Sequence, residues 1–288
     1  IDGTSYNVGG TGLTSSTASG GAITLAIIRD NWDTSGDDVS TCNTSNINDM
    51  TDMFKGEQSF NQNISTWDTS NVTSFHGMFE RAVAFNQPIG SWSTGEAINT
   101  EYMFFHAEAF NQPIGTWDMA KSATMNAMFR GAVVFNQDIG DWDTGAVTGG
   151  INASVEDMFH SATAFNQDIS DWDTSKMGSF RYMFYEADNF NNGGVALDWS
   201  DTSSVVRMDH MFHSANAFNQ AISSWNTSNV TDFISMFESN RTFNQDVSPW
   251  NTSSSVHLRD MFKDATDFNN GGVALDWAQT SNWDSVYS

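Results

Sequence analysis

Six histidines are the side chains in this sequence best suited to bind a metal or to transfer protons. Three of them lie one or two residues after a Met-Phe pair: His106, His160 and His213. Other Met-Phe pairs are followed directly by a residue of either charge: Lys55, Glu80, Arg130, Glu238 or Lys263. A zinc site needs several fixed ligands, and a position that accepts both charge signs is typical of a solvated face. We therefore predict no zinc site.

In four copies of a repeated segment, an aspartate directly follows a tryptophan: Asp68, Asp118, Asp143 and Asp173. If the copies stack, like charges about 5 Å apart repel by roughly 0.8 kcal/mol per pair in water. Hydrogen bonds at helix N-termini would offset this repulsion, and a row of bound Ca²⁺ ions would offset it better. Uncharged residues fill the same position at Ser93, Asn226 and Asn251, which favours capping over metal. Calcium is the one cofactor that this pattern leaves possible.

An asparagine follows the phenylalanine that begins each repeat, between apolar neighbours. A buried amide without a partner costs about 1 to 3 kcal/mol. Pairing with the backbone of the adjacent copies removes that cost, so we predict an asparagine ladder. Its members are Asn61, Asn86, Asn111, Asn136, Asn166, Asn191, Asn219, Asn244 and Asn269.

Eight asparagines also lie in Asn-x-Ser/Thr sequons, which accept N-glycans in a eukaryotic secretory pathway. We expect glycosylation at exposed members of this set, and Asn152 is favoured because it lies in an insertion between repeats. The candidates are Asn43, Asn63, Asn71, Asn152, Asn226, Asn229, Asn240 and Asn251.

The elements that must position these residues recur along most of the chain. The phenylalanine of the Phe-Asn pair stands at Phe60, Phe85, Phe110, Phe135, Phe165, Phe190, Phe218, Phe243 and Phe268. Six of the eight intervals are 25 residues, and the other two are 30 and 28. A fixed period of this length indicates a solenoid, propeller or array.

Each repeat has two halves. The first, such as Phe110 to Trp117, is short and interrupted by Pro or Gly, and it predicts one short parallel strand per coil. The second, such as Val72 to Ala82, has apolar residues at offsets 0, 3, 6, 7 and 10, the stripe of a helix. The predicted fold is a leucine-rich-repeat-like solenoid with one short strand and one short helix per coil of about 25 residues.

The solenoid is predicted over residues 36–288, with nine clear repeats, a degenerate first coil that buries Cys42, and an incomplete last coil. Residues 23–35 are predicted to form an N-terminal cap, helical or as a strand, because they hold the most continuous apolar stretch. Residues 1–22 are rich in Gly, Ser and Thr and are predicted to be a leader or arm. The start at Ile1 indicates a processed product or a fragment, and we expect the last coil to be covered by further polypeptide or a neighbouring subunit.

The pattern Phe-Asn-Gln-Asp-Ile-Ser-x-Trp-Asp-Thr-Ser, followed by Met-Phe-x-x-Ala, is nearly complete across Phe165 to Ala187. It resembles the bacterial surface-protein repeat of about 25 residues, also called the Mycoplasma lipoprotein repeat domain, a relative of BspA-like leucine-rich repeats. The resemblance implies a right-handed parallel solenoid, an extracellular or cell-surface location, an adhesive role and no catalytic residues. The chain departs from the pattern at Thr100, Ser122 and Asn152, which are polar at apolar positions, and at Glu57 and Asn240, which replace Ala.

The net charge of −24 disfavours nucleic acid as a partner, since phosphate contacts require clustered Lys and Arg. The sequence contains no run of about 18 apolar residues, so no membrane span is predicted. With no catalytic motif, the leading hypothesis is a non-enzymatic surface protein that mediates adhesion by binding protein or glycan. One alternative is the subunit of an extracellular filament, in which copies of the chain stack head to tail. A weaker alternative is binding to ice or crystal surfaces by a threonine row: Thr69, Thr94, Thr144, Thr174, Thr227 and Thr252.

Overall fold

The computed structural model describes residues 38–148, 155–255, 257–275 and 277. The predicted leader and N-terminal cap lie outside these residues. The described repeats stack as successive coils, so that equivalent residues 25 positions apart are neighbours in space. Phe60, Phe85 and Phe110 illustrate this, with ring centroids 5.7 and 5.9 Å apart along the stack. The chain is therefore a repeat protein with one continuous core.

Backbone amides in the second half of each coil donate alternately to the next coil and to a residue of their own coil. The amides of Phe75, Gly77 and Phe79 donate to carbonyls of the next coil, each at 2.9 Å. The residues between and after them close tight turns, since Met78 donates to the carbonyl of Phe75 and Ala82 to that of Phe79. Half of the amides thus hold neighbouring coils together, and the other half shape the coil itself.

The core consists of ladders of identical side chains. Phe79 and Phe85, from the two halves of the repeat, stack at a centroid distance of 3.8 Å, and this pairing recurs in every described coil from Phe54 to Phe268. Trp67 and Trp92 stack at 6.5 Å with nearly parallel rings. Each indole N–H also donates to a carbonyl one coil back, as Trp92 does to Ile64 at 3.1 Å. The tryptophan row is therefore both packed and fully hydrogen-bonded.

The predicted helix in each coil is not confirmed. The five residues from which it was predicted, Val72, Phe75, Met78, Phe79 and Ala82, are all fully buried as the spacing requires. In a helix, however, every amide would bond four residues back, and here alternate amides bond to the next coil. The described residues contain only two helices, both short 3₁₀ turns: Asn192–Gly194 and Asn270–Gly272.

A chain of tight turns takes the place of the helix, and it forces part of the backbone into left-handed conformations. In each described Met-Phe pair, the residue before the Met and the second residue after the Phe have positive φ, as at Tyr102 (55°) and His106 (53°). Glycine fills these positions at Gly56, Gly77 and Gly131. Apolar residues three apart therefore mark the corners of successive turns instead of one face of a helix.

The predicted strand between the Ile and the Trp of each coil is also not confirmed. That segment contains a turn, closed by the Trp92 amide on the carbonyl of Ile89 at 3.1 Å. The parallel β-bridges within the described residues lie elsewhere, four residues before the Met, and none extends into a strand. They join Asp49, Ser74, Asn99 and Thr124 in one run, and Ser179, Arg207, Asp232 and His257 in another.

The polar departures from the repeat pattern have partners inside the core. The Thr100 and Ser122 hydroxyls lie 3.1 Å apart, and both residues are buried. Asn240, which replaces the usual Ala, is fully buried, and its side-chain oxygen accepts from the amides of Thr242 and Phe243. The buried Asn192 in the longer repeat binds the amide of Ile169. These substitutions are accommodated because each buried polar group gains a hydrogen bond. Within the described residues, no helix has the length and hydrophobicity needed to cross a bilayer.

Candidate functional site

One surface differs from coil to coil while the core repeats. We define this variable face as the two residues before the Met and the two residues after the Phe of each Met-Phe pair. These four positions hold five of the six histidines: His76, His106, His160, His210 and His213. They also hold six of the eleven basic residues: Lys55, Arg81, Arg130, Arg181, Arg259 and Lys263. In an acidic chain, such a concentration of cationic and titratable side chains distinguishes this surface from the rest.

A cavity of about 570 Å³ opens in the middle of the variable face. Four consecutive coils build it, so it exists only when the repeats are stacked. Its lining contains aromatic, acidic and basic side chains: Arg130, Asp157, His160, Tyr182, Tyr185, Glu186, His210 and His213. We call this the central cavity.

Stacked rings form one wall of the central cavity. Tyr185 lies between two imidazoles of adjacent coils, 4.5 Å from His213 with nearly parallel rings and 4.6 Å from His160. Tyr182 stacks on His210 at 4.7 Å, and the guanidinium of Arg181 lies 4.6 Å from its ring. Tyr185 is therefore flanked by a ring of each adjacent coil, and the Tyr182 ring contacts both His210 and Arg181.

Each of the three imidazoles has a carboxylate near its Nδ1 atom. His160 pairs with Asp157 at 2.6 Å, and Arg130 donates to the same carboxylate at 3.0 Å. The Nδ1 of His213 lies 3.7 Å from Glu238. Burial lowers the pKa of His213, and the nearby Glu238 opposes that effect. His213 is therefore neutral near neutral pH.

The third imidazole, His210, adjoins a buried ionic cluster. Asp209 is only 3% exposed and accepts from Arg181 at 2.8 Å and from Arg207 at 3.0 Å. Burial alone would raise the pKa of Asp209, but the nearby His210 and the two guanidiniums outweigh it and hold the pKa low. A buried carboxylate with two cationic partners fixes the positions of all three side chains.

The histidines from which a metal site was considered are not all in one place. His160 and His213 line the central cavity on either side of Tyr185, whereas His106 is not among its lining residues. In the described residues, no group of three or more His, Cys, Asp or Glu side chains is arranged to hold a metal ion. Their surroundings were not those of a freely solvated face, because the side chains of His160 and His213 are only 15% and 18% exposed. Sequence reasoning missed the contributions of Tyr182, Tyr185 and His210.

The aspartates that follow tryptophan form local turns. The side-chain oxygen of Asp68 accepts from the Ser70 amide at 3.0 Å, and Asp118, Asp143 and Asp173 make the same contact two residues on. Hydrogen bonds from Ser70 lower the pKa of Asp68. The capping interaction is thus an Asx turn and not a helix N-cap, and the row forms no metal-holding group in the described part of the chain.

The asparagine ladder runs along the described coils from Asn61 to Asn269. From Asn61 to Asn244, each side-chain oxygen accepts from the backbone amide of the equivalent asparagine in the next coil, at 2.7 to 3.0 Å. The glutamine that follows donates to the same oxygen in several coils, as Gln87 does to Asn61. These asparagines are half-buried or exposed, so the premise that they are fully buried was wrong.

The threonine row is buried, so it cannot bind ice or a crystal surface. Thr69, Thr94, Thr144, Thr174, Thr227 and Thr252 are each at most 4% exposed. Their hydroxyls face the next coil, as Thr69 shows by donating to the carbonyl of Ser93 at 2.9 Å. The hydrogen bonds of this row link adjacent coils.

The glycosylation candidates divide by exposure. Asn240 is wrong as a candidate because it is fully buried. Asn152 lies outside the described residues. The exposed members are Asn43, Asn63, Asn71, Asn226, Asn229 and Asn251. Cys42 is buried and forms no disulfide.

Three overlapping segments of the chain, residues 25–133, 114–200 and 194–288, match one family model. Its description is "Mycoplasma protein of unknown function, DUF285". A comparison with curated proteins found no match. The family match agrees with the resemblance that the repeats show in sequence, and together the segments span most of the chain.

Proposed function

Because the chain belongs to the DUF285 family of repeat proteins, whose function is unknown, we propose that it is a non-enzymatic surface protein that binds protein partners through its variable face. The proposal places it at the cell surface or outside the cell and gives it a role in adhesion. The observation that carries the proposal is the central cavity, where four coils converge on one cluster of Tyr, His and Arg side chains.

The composition of the variable face supports this proposal. Tyrosine and arginine are enriched in protein–protein interfaces and supply many of the residues that dominate binding energy. The variable face holds all the tyrosines of the described residues: Tyr102, Tyr182 and Tyr185. Tyr102 is 37% exposed, one of the few large apolar side chains that reach solvent. A rigid stack of coils also presents these side chains with little freedom left to lose on binding.

Protein is favoured over glycan as the partner by the geometry of the rings. Sugars bind aromatic side chains mainly across an open ring face, and Tyr185 has an imidazole of each adjacent coil within 4.6 Å. Tyr182 has the His210 ring at 4.7 Å and the Arg181 guanidinium at 4.6 Å from its centroid. Ring edges flanked by ion pairs suit the mixed contacts of a protein interface better.

Binding to a panel of purified extracellular-matrix proteins and immobilised glycans tests the proposal. Replacing Tyr182 and Tyr185 together by Ser should weaken binding to a protein of the panel by about tenfold or more, since truncating aromatic anchors is costly. The matched control is the pair Val195→Ser and Val273→Ser, which changes two exposed side chains away from the variable face. Equal loss in both variants, or binding to glycans alone, would contradict the proposal.

Sedimentation of the same preparations separates a free binding module from the filament alternative. A free module is expected to sediment as a monomer at micromolar concentration. Assembly into long polymers that the tyrosine variant does not disturb would instead favour a filament subunit.

A further inference from the structure

We propose that the central cavity receives a basic side chain, Lys or Arg, of the protein partner near neutral pH and binds it more weakly in acid, when the His213 imidazole in its lining gains charge. The inference rests on the proposed function and specifies the partner's chemistry and the regulation of the same site.

With neutral imidazoles, the lining carries one cation and two carboxylates. Arg130 and Asp157 neutralise each other at 3.0 Å. Glu186 is exposed, accepts from the Ser161 hydroxyl at 3.1 Å, and has no ion-pair partner among the described residues. The cavity therefore has a formal charge of −1 and one carboxylate still available to a cation.

The His160 ring adds an acceptor to this lining. Its Nδ1 lies 2.6 Å from Asp157, and an Nδ1 that carries its proton toward a carboxylate leaves Nε2 as the acceptor of the neutral ring. The Nδ1 atoms of His210 and His213 lie 3.7 Å from Asp209 and Glu238, and both are buried without a hydrogen-bond partner in the described residues. A lining of carboxylate oxygens, tyrosine side chains and an imidazole acceptor suits a hydrogen-bond donor that carries positive charge.

The net charge of the whole chain also favours a cationic ligand. The chain carries a formal charge of −24, which raises the local concentration of cations and speeds the encounter with a basic partner. A phosphate, sulfate or carboxylate ligand would meet repulsion from that field and from Glu186. The charge balance thus favours a basic side chain over an acidic one.

Protonation of His213 changes the formal charge of the lining from −1 to 0. Glu238, which faces this ring, already has a cationic partner, since it lies 3.6 Å from Lys263. The other two carboxylates near the imidazoles are also paired, Asp157 with Arg130 and Asp209 with Arg181 and Arg207. The ring of His213 also lies 6.0 Å from that of His210.

The surroundings of the His213 ring determine where it titrates. Burial lowers the pKa of His213, with Glu238 and Glu186 opposing the effect and His210 adding to it. The charge on His213 therefore develops only on the acidic side of the ordinary histidine range, about pH 6.5.

A fluorescein-labelled peptide of four lysines is a suitable probe, with affinity measured by anisotropy at about pH 7.5 and about pH 5.5 in roughly 0.15 M salt. Glu186→Gln should weaken binding at the higher pH by about fivefold, the scale of one partly exposed ion pair. The control Asp171→Asn removes the same charge from an exposed position away from the variable face and should change affinity less than twofold, roughly.

Lowering the pH should weaken binding to the unaltered protein by about fivefold, because one positive charge appears within reach of the ligand. The variant His213→Gln should lose most of this dependence. Its near-ultraviolet circular dichroism shows whether it is folded, and a folded variant that keeps the full dependence would overturn the proposed role of His213.

Equal losses for Glu186→Gln and Asp171→Asn would overturn the proposal by showing that the probe responds only to overall charge. Tighter binding in acid would also overturn it and would indicate an anionic partner. If the probe fails while the tyrosine variant still loses its panel protein, this inference is wrong and the proposed function stands. If the tyrosine variant binds the panel normally, the proposed function itself is wrong.

Discussion

The side-chain oxygen of Asn111 accepts a hydrogen bond from the backbone amide of Asn136, one coil further along, at 2.9 Å. The same oxygen accepts from the side-chain amide of Gln137 at 2.8 Å. Asn111 itself donates its backbone amide to Asn86. One amide side chain therefore satisfies two donors of the next coil, and the contact is repeated along the described stack.

Replacing Asn111 by Ala should destabilise the protein by about 1 kcal/mol, because it leaves the Asn136 amide with only water as a partner. Asn111→Asp keeps an acceptor oxygen at the same place and should cost less. Chemical denaturation of the three proteins gives the comparison. A larger loss for Asp than for Ala would mean that the ladder depends on the amide group and not on the acceptor.

The recurring pattern of the repeats allowed the core to be predicted residue by residue. Every described Trp, Met and Phe that the repeats aligned is buried, apart from the partly buried Phe268. Periodicity succeeds here because equivalent positions in a stack share one environment. It does not determine the path of the backbone, since apolar residues at offsets 0, 3, 6, 7 and 10 fit a helix and a chain of tight turns equally well.

The two backbone paths differ in the carbonyl to which every second amide donates its hydrogen bond. The Gly77 amide donates to Glu101 in the next coil, 24 residues further along the chain, and no local pattern encodes that partner. A local signal did exist, because glycine recurs at the two positions of positive φ, at Gly56, Gly77 and Gly131. The central cavity was missed for a similar reason: contacts such as Tyr185 with His213 join residues 28 apart.

Replacing Phe135 by Ala should cost about 3 to 5 kcal/mol, because it leaves a cavity in the middle of the aromatic stack. Phe135 is fully buried and stacks on Phe129 at 4.0 Å. Its neighbour Val134 is 43% exposed, so Val134→Ala is a control on the same coil and should be nearly silent. Urea denaturation midpoints measure both changes, and similar shifts would argue against a core built from side-chain ladders.

Asn240 should carry no glycan in protein secreted from a eukaryotic host, despite its sequon. The residue is fully buried and its oxygen is bound by two backbone amides, so a folded chain has no room for a sugar there. Asn43 and Asn63 are exposed and serve as positive controls in the same sample. Peptide mapping by mass spectrometry checks occupancy. Substantial occupancy at Asn240 in folded, secreted protein would contradict the placement of this side chain.

The free energy of unfolding should decrease as the pH drops below about 6.5, the ordinary pKa of histidine. This decrease should come before the one caused by protonation of carboxylates. Burial lowers the pKa of His213 and of His106 in the folded state, so folding favours their neutral forms. That contribution is complete above the unfolded-state pKa and is lost as the pH falls toward the lower folded-state value. Thermal midpoints are measured across about pH 7.5 to 5, and the midpoint of the unaltered protein should fall more steeply in acid than that of His213→Gln.

Substitutions at Gly131 and Gly56 distinguish the free-energy cost of a left-handed backbone conformation from that of a steric clash. Both have positive φ, 70° and 80°, and a side chain there costs about 1 to 2 kcal/mol, less the gain from a stiffer unfolded chain. A Cβ atom at Gly56 would meet nothing within 4 Å, so Gly56→Ala should cost about 1 kcal/mol in total. At Gly131 the added atom would lie 2.5 Å from Nδ1 of His106, and Gly131→Ala should cost clearly more.

The excess at Gly131 should disappear when His106 is first replaced by Ala. In that background Gly131→Ala is expected to cost about as much as Gly56→Ala, since only the backbone strain remains. The four proteins of this double-mutant cycle are compared by chemical denaturation. If the cost of Gly131→Ala is the same with and without His106, the imidazole does not lie against this glycine, and the packing of this part of the variable face is different from that described.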